Sequence, residues 1–259
     1  MGLFDRFKKQ DCEICGKEVG MFGYKKLEDG EICKDCVKLL SPWFEDRRHA
    51  TVAQIKEQIA YRERNAKELE SFAVSRIIGD SQKMYVEEVN GMPVRFFIYD
   101  GLDYRKHNPD IISFRDVISC VVDIEARDEE LMREDKDGNS VSYNPPRYEH
   151  NYNFFIDMDI RNNPYFNHIR FDINSETVTM ESIGTTAGRP VNSHINTRGQ
   201  QQYQKYEQMC REIEEVVEKG KQGASAAPVA EATKPRFCPN CGAPYEGGKF
   251  CQSCGSRLG

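Results

Sequence analysis

The sequence predicts an α+β multidomain chain, and three observations lead there. Eight of its ten cysteines fall into four Cys-x-x-Cys pairs, two near each end. Between the ends lie short apolar segments punctuated by Asn-Gly and Asp-Gly turns. Two longer segments carry apolar residues at a spacing near 3.6, the mark of amphipathic helices. The expected order is a tail (1–10), a four-cysteine module (11–48), a connecting helix (51–73) and a central antiparallel β domain with a C-terminal helix (75–219). A flexible linker (220–235) and a second four-cysteine module (236–259) complete it.

Composition narrows the classes. The chain has 259 residues and a formal charge of −6, with 42 acidic against 36 basic side chains. A protein that mainly grips phosphate backbones needs the opposite balance. Fourteen Phe and twelve Tyr exclude wholesale disorder. No run approaches the roughly 18 apolar residues of a membrane span, and the N-terminus lacks a secretory pattern. Reduced thiolates holding metal in a cytoplasm therefore account for the cysteines better than disulfides do.

The tail carries Leu3, Phe4 and Phe7 among Arg6, Lys8 and Lys9. It reads as a frayed or self-docked terminus, since Arg at position 6 breaks a myristoylation motif. Cys12 and Cys15 then form the first pair, and Cys33 and Cys36 the second, with 17 residues between the pairs. A two-residue gap lets both sulfurs of one turn reach an ion about 2.3 Å away, and two such turns complete a tetrahedron. Asp29-Gly30 signals a hairpin between Tyr24–Leu27 and Glu31–Ile32, and the second pair opens a short helix, Lys34–Leu40. That order is similar to treble-clef zinc modules. Trp43, the only tryptophan, is expected to plug a small core between this module and the next helix.

Thr51 and Gln54 are a capping-box signature. Ile55, Ile59, Ala66, Leu69 and Phe72 follow on one face, while Glu57, Arg62, Arg64, Lys67 and Glu70 mark the other. In the central region Lys83–Val89 and Pro93–Tyr99 flank Asn90-Gly91, the strongest short hairpin cue. Val117–Ala126, Asn153–Ile160, His168–Ile173 and the weaker Val178–Met180 are further strands. Phe155, Ile156, Met158 and Ile160 are the apolar positions of the second of these. A loose loop (184–201) leads to a helix over 202–219 with Tyr203, Tyr206, Met209, Cys210, Ile213, Val216 and Val217 on one side. Strands closed by a final helix, with Ile112-Ser-Phe-Arg-Asp-Val-Ile-Ser119 leading into one of them, resemble a bacterial pleckstrin-homology-like domain. In such a fold residues 127–150 are insertions.

The linker is small, polar and Pro-punctuated, so it is flexible by composition. The last module pairs Cys238 with Cys241 and Cys251 with Cys254, nine residues apart, in the manner of a minimal zinc ribbon. So small a unit draws its folding energy from the metal. Two structural Zn²⁺ sites are expected. Iron–sulfur clusters use the same four thiolates, though usually with asymmetric spacing.

Cys12-Glu-Ile-Cys-Gly-Lys17, Phe22-Gly-Tyr-Lys-Lys-Leu-Glu-Asp-Gly-Glu-Ile-Cys-Lys-Asp-Cys36 and Leu40-Ser-Pro-Trp-Phe44 resemble a bacterial family of uncharacterised proteins with an N-terminal four-cysteine domain of unknown function. Arg133-Glu-Asp-Lys-Asp-Gly138 and Ser142-Tyr-Asn-Pro-Pro-Arg-Tyr-Glu149 carry the same likeness, as does the terminal ribbon. The resemblance implies a cytoplasmic bacterial protein that binds metal through its eight paired cysteines, and it implies no activity.

Catalytic signatures are missing. Asp135-Lys-Asp-Gly-Asn139 starts like a calcium loop, but Pro146 stands where the loop's Glu belongs, so a hairpin turn is expected. His49, His107, His150, His168 and His194 have no companion at motif spacing, and Cys120 and Cys210 read as core residues. There is no nucleophile elbow, phosphate loop or dinucleotide fingerprint. Four thiolates leave a zinc ion no open position for substrate. The leading expectation is a non-enzymatic interaction or scaffold protein whose partner is protein. Nucleic-acid binding through the ribbons is the alternative: Lys234, Arg236, Lys249 and Arg257 lie beside Phe237, Tyr245 and Phe250, but the thiolates cancel much of that charge. Peripheral lipid binding through the central domain is the third, disfavoured by the acidic balance.

Overall fold

The computed structural model describes residues 10–19, 23–101, 103–184, 190–194 and 197–223, together with residue 252. The tail up to residue 9, the linker beyond 223 and the cysteines of the second module lie outside the described residues. So do residues 185–189 of the expected loop.

The chain opens with two small antiparallel ladders. β1 (Gln10–Asp11) pairs with β2 (Glu18–Val19), and β3 (Tyr24–Lys26) pairs with β4 (Glu31–Cys33). The short helix α1 (Lys34–Val37) follows, and then α2 (Val52–Glu70). Both halves of the capping box at α2 form: Gln54 N donates to Thr51 Oγ1 at 3.3 Å and Thr51 N to Gln54 Oε1 at 2.8 Å. Two of the helix's first N–H groups are thereby satisfied.

A four-stranded antiparallel sheet comes next: β5 (Arg76–Ile78), β6 (Lys83–Val89), β7 (Met92–Tyr99) and, beyond the single turn α3 (Tyr104–His107), β8 (Ile112–Ser113). The β6–β7 turn has Asn90 at φ 53° and Gly91 at φ 76°. Both central residues of a type I′ turn need positive φ, which these two residue types tolerate best.

The second sheet is built around one long hairpin. β9 (Val117–Glu134) and β10 (Ser140–Ile160) pair from Val117↔Ile160 to Glu134↔Ser140. Residues 127–134 and 140–150 are therefore strand, joined by a turn at 135–139. Their strands extend the alternation of the core segments with polar side chains, which apolar periodicity misses. The turn is the expected one: Asp135 Oδ1 accepts from Asp137 N and Asn139 N, both at 2.9 Å. The ladder breaks between Ser142 and Arg147, where Pro145 and Pro146 have no N–H to donate. On its far side β10 pairs with β11 (His168–Asp172) and β12 (Val178–Gly184), and β12 pairs with β13 (Pro190–His194). The expected loop over 184–201 thus holds a strand and the start of a helix.

That helix, α4 (Thr197–Gly223), packs across both sheets. Tyr206, Cys210, Ile213, Val216 and Val217 are buried against Phe96, Phe114, Phe154, Ile156 and Phe171, with Tyr203 and Met209 at the border. Burying such side chains contributes about 1.5–3 kcal/mol each. The helix passes the expected end at 219, and Gly220 within it packs closely on Phe114: a Cβ there would sit 2.5 Å from Phe114 Cγ. A glycine that composition assigns to the linker is a packing contact. In β10 the inward residue is Phe154, fully buried, while Phe155 lies on the outer face under Arg170, whose guanidinium is 4.2 Å from the ring centroid.

Candidate metal centre

The N-terminal cysteines meet at one point. The Sγ atoms of Cys12, Cys15, Cys33 and Cys36 all lie within 4.8 Å of one another, and Cys15 and Cys33 are 3.8 Å apart. A tetrahedron with metal–sulfur bonds of about 2.3 Å has edges of about 3.8 Å, so the set fits zinc. Cys12, Cys33 and Cys36 are buried and Cys15 is exposed.

Local backbone geometry builds the cage. The turn after Cys12 is closed by Gly16 N donating to Cys12 O at 2.7 Å, with Gly16 at φ 69°. Glu13 N donates to Glu31 O at 3.0 Å, which ties this turn to β4. The ladder of β3 with β4 ends on Cys33, opposite Tyr24, and Cys33 is the N-cap of α1. Two amides then point at sulfurs: Cys33 N to Cys12 Sγ and Cys36 N to Cys33 Sγ, each at 3.3 Å.

Those amides shape the charge on the cage. Burial pushes the Cys12 thiol up, but the N–H groups of Cys33, Cys15 and Ile14 outweigh it and hold the thiol down to about 6. Burial and the sulfurs around Cys36 push its thiol the other way. A cation held at the centre by these four residues would draw the protons off all four sulfurs. With four thiolates the coordination shell is closed, the pattern of a structural site.

The cage is joined to the body. Leu27, Ile32, Leu40 and Ala50 pack around it with Ile55, Val52 and Ile59 from α2. Asp29 Oδ1 accepts from Val52 N at 2.7 Å. Farther along, Ser41 Oγ donates to Asp110 Oδ2 at 2.8 Å, and Arg62 Nη1 donates to Asp110 Oδ1 at 2.7 Å. Arg62 is therefore buried, not on the solvent face that its charge suggests. Asn65 adds bonds from Nδ2 to Asn108 Oδ1 and Pro109 O, both at 2.7 Å. Trp43 packs against the body's main core, and its neighbour Phe44 packs on the cysteine module. The plug expected of Trp43 is supplied by Phe44, and Trp43 itself packs on the main core instead.

Residues 10–58 match the sequence model of a domain of unknown function, DUF4428. No curated protein and no solved structure gives a significant match to the chain. The matched segment holds all four cysteines and the first turns of α2, including Val52 and Ile55 of the cysteine module's core. Cys238, Cys241, Cys251 and Cys254 lie outside the described residues.

Elsewhere three of the histidines find carboxylates that sequence spacing hides, because most of the pairs cross strands. His49 pairs with Asp46, His168 with Asp157 and Asp159, and His150 Nδ1 lies 2.7 Å from Asp128 Oδ1. His150 Nε2 is also 2.7 Å from Ser182 Oγ. A serine, a histidine and an aspartate in line are the arrangement of an activated nucleophile. Acyl transfer also needs N–H donors aimed at the developing oxyanion. Ser182 sits within β12, between β10 and β13, where its backbone serves the ladders. The three residues stitch the strands together. Cys210 is buried in the main core and Cys120 borders it; burial pushes both thiols up to about 12, so neither is a ready nucleophile.

No described helix is long and apolar enough to cross a membrane.

Proposed function

We propose that the chain is a non-enzymatic zinc-binding interaction protein of the bacterial cytoplasm. The observation that carries this is the convergence of Cys12, Cys15, Cys33 and Cys36 into a closed set of four sulfurs. A closed shell gives folding energy and a rigid surface, and it offers no site to a substrate. The bonds from Ser41, Arg62 and Asn65 support a module that reports to the body as one piece. Two antiparallel sheets closed by α4 support a pleckstrin-homology-like body. Cys238, Cys241, Cys251 and Cys254 are proposed as the second zinc site.

Metal content per chain tests the reading. Two zinc ions are expected in protein purified without chelator. Cys12→Ser with Cys15→Ser should leave one, as should Cys238→Ser with Cys241→Ser. Protein carrying no zinc under those conditions would overturn it.

A further inference from the structure

β9 is an edge strand. It pairs with β10 alone, so along its 18 residues the outward backbone groups have no ladder partner among the described residues. Ile118, Val121 and Met132, three of the five large apolar side chains exposed on the described surface, belong to it. Natural edges are usually blunted by charge. The outer half of β9, 127–134, is charged in that way, but residues 117–124 hold a single charge, Asp123.

α4 runs beside this uncharged half. Lys221 Nζ donates to Ile118 O at 3.0 Å, and Glu214 lies close enough to act on the Cys120 thiol. Glu214, Glu215 and Glu218 border a shallow depression with Lys219 and Gln222. Glu218 bonds Gln222, and none of the three carboxylates has a cationic partner among the described residues. The surface combines an open strand edge, exposed Ile118 and Val121, and, on α4 beside it, three carboxylates against Lys219 and Lys221.

We propose that the edge of β9 beside α4 takes an extended cationic peptide as an added strand. Strand addition draws affinity from main-chain bonds and specificity from alternate side chains. Here apolar residues of the peptide would meet Ile118 and Val121, and its lysines or arginines would face the α4 carboxylates. Lys221 already places an ammonium on an edge carbonyl, and its flexible stem can yield that carbonyl to a peptide N–H. A second copy of the chain fits less well, because pairing β9 with itself brings two acidic α4 faces together. The proposal rests on reading the chain as an interaction protein, and it names the partner's chemistry.

The test uses the full chain and a fluorescein-labelled octapeptide of alternating lysine and valine, followed by fluorescence anisotropy at low salt. Saturable binding is expected. An analogue N-methylated on alternate residues keeps its charge but cannot donate along one edge, and it should bind about ten-fold or more weakly. Glu214→Gln with Glu218→Gln should weaken the parent peptide while leaving the melting temperature unchanged. Equal binding of the methylated analogue would reduce the effect to net charge and overturn the proposal. So would absent binding, or a dimer in sedimentation equilibrium that Val121→Lys dissolves. Zinc content is measured on the same samples, so failure here with two zinc ions bound leaves the metal reading standing.

Discussion

Arg62 Nη1 sits 2.7 Å from Asp110 Oδ1, with the two side chains 6% and 0% exposed. Burial pushes the Asp110 carboxyl up, against the pull of Arg62 and of the Ser41 hydroxyl. Arg62 also donates to the carbonyl of Asn108, which holds φ 50°. One ion pair therefore joins α2, the segment after the cysteine module and the turn leading into β8.

Removing one partner of such a pair leaves a buried charge uncompensated. Asp110→Ala is expected to cost about 3–5 kcal/mol, and Arg62→Leu a similar amount. Urea unfolding of each variant checks this. A double replacement with apolar side chains should cost clearly less than the sum of the two single changes.

Gln58 behaves in the opposite sense. Its side chain is fully buried, and neither Oε1 nor Nε2 has a hydrogen-bond partner among the described residues. A buried amide left unpaired costs about 1–3 kcal/mol. Gln58→Met should therefore raise stability by about 1 kcal/mol, read as a higher urea midpoint at unchanged slope.

At Gly220 helix propensity and packing disagree. Alanine gains about 1 kcal/mol over glycine within a helix. A Cβ here would press on Phe114, with atoms at 2.5, 2.7 and 2.9 Å, and overpacking costs about 1–3 kcal/mol. Gly220→Ala should lower the melting temperature despite the better propensity.

Asp80 carries a pH signature. Hydrogen bonds from Lys205 and then Tyr206 hold its carboxyl below the usual value, with Ser175 adding to them. A depressed carboxylate stabilises the fold above its unfolded pKa of about 3.9, and the gain is lost as pH falls through the lower folded value. Asp80 is 36% exposed, so the effect is at most about 1 kcal/mol. The stability gap between the parent and Asp80→Asn should be constant above about pH 5 and close below about pH 4. Thermal melts across that range measure it.

The legible parts of the molecule are those decided locally. Asn90-Gly91 selects its own turn, Thr51 and Gln54 cap their own helix, and the α4 stripe from Tyr203 to Val217 is apolar at helical spacing. The cysteine cage is nearly as local, since pair spacing fixes most of its geometry. What escapes the sequence is set by contacts far along the chain. α2 buries Ile55, Gln58, Arg62, Asn65 and Leu69 along one line. Three of these are polar, and only the distant Asn108–Ile111 segment tells Arg62 and Asn65 to turn inward. The choice between Phe154 and Phe155 depends on strand register, which the long partner β9 sets. The pairing of His150 with Asp128 needs that same register.

Trp43 has a practical consequence for experiments on the metal. Its backbone N–H donates to Ser41 Oγ at 3.1 Å, the hydroxyl that also holds Asp110, and its ring borders the main core while Phe44 turns to the cysteine side. It is the only tryptophan. The protein thus carries a native optical gauge at the joint between its two parts. Chelation that loosens the cage should shift the indole emission to the red, with no label attached. A chelator titration would then show whether emptying the cage is felt by the body or stops at the joint.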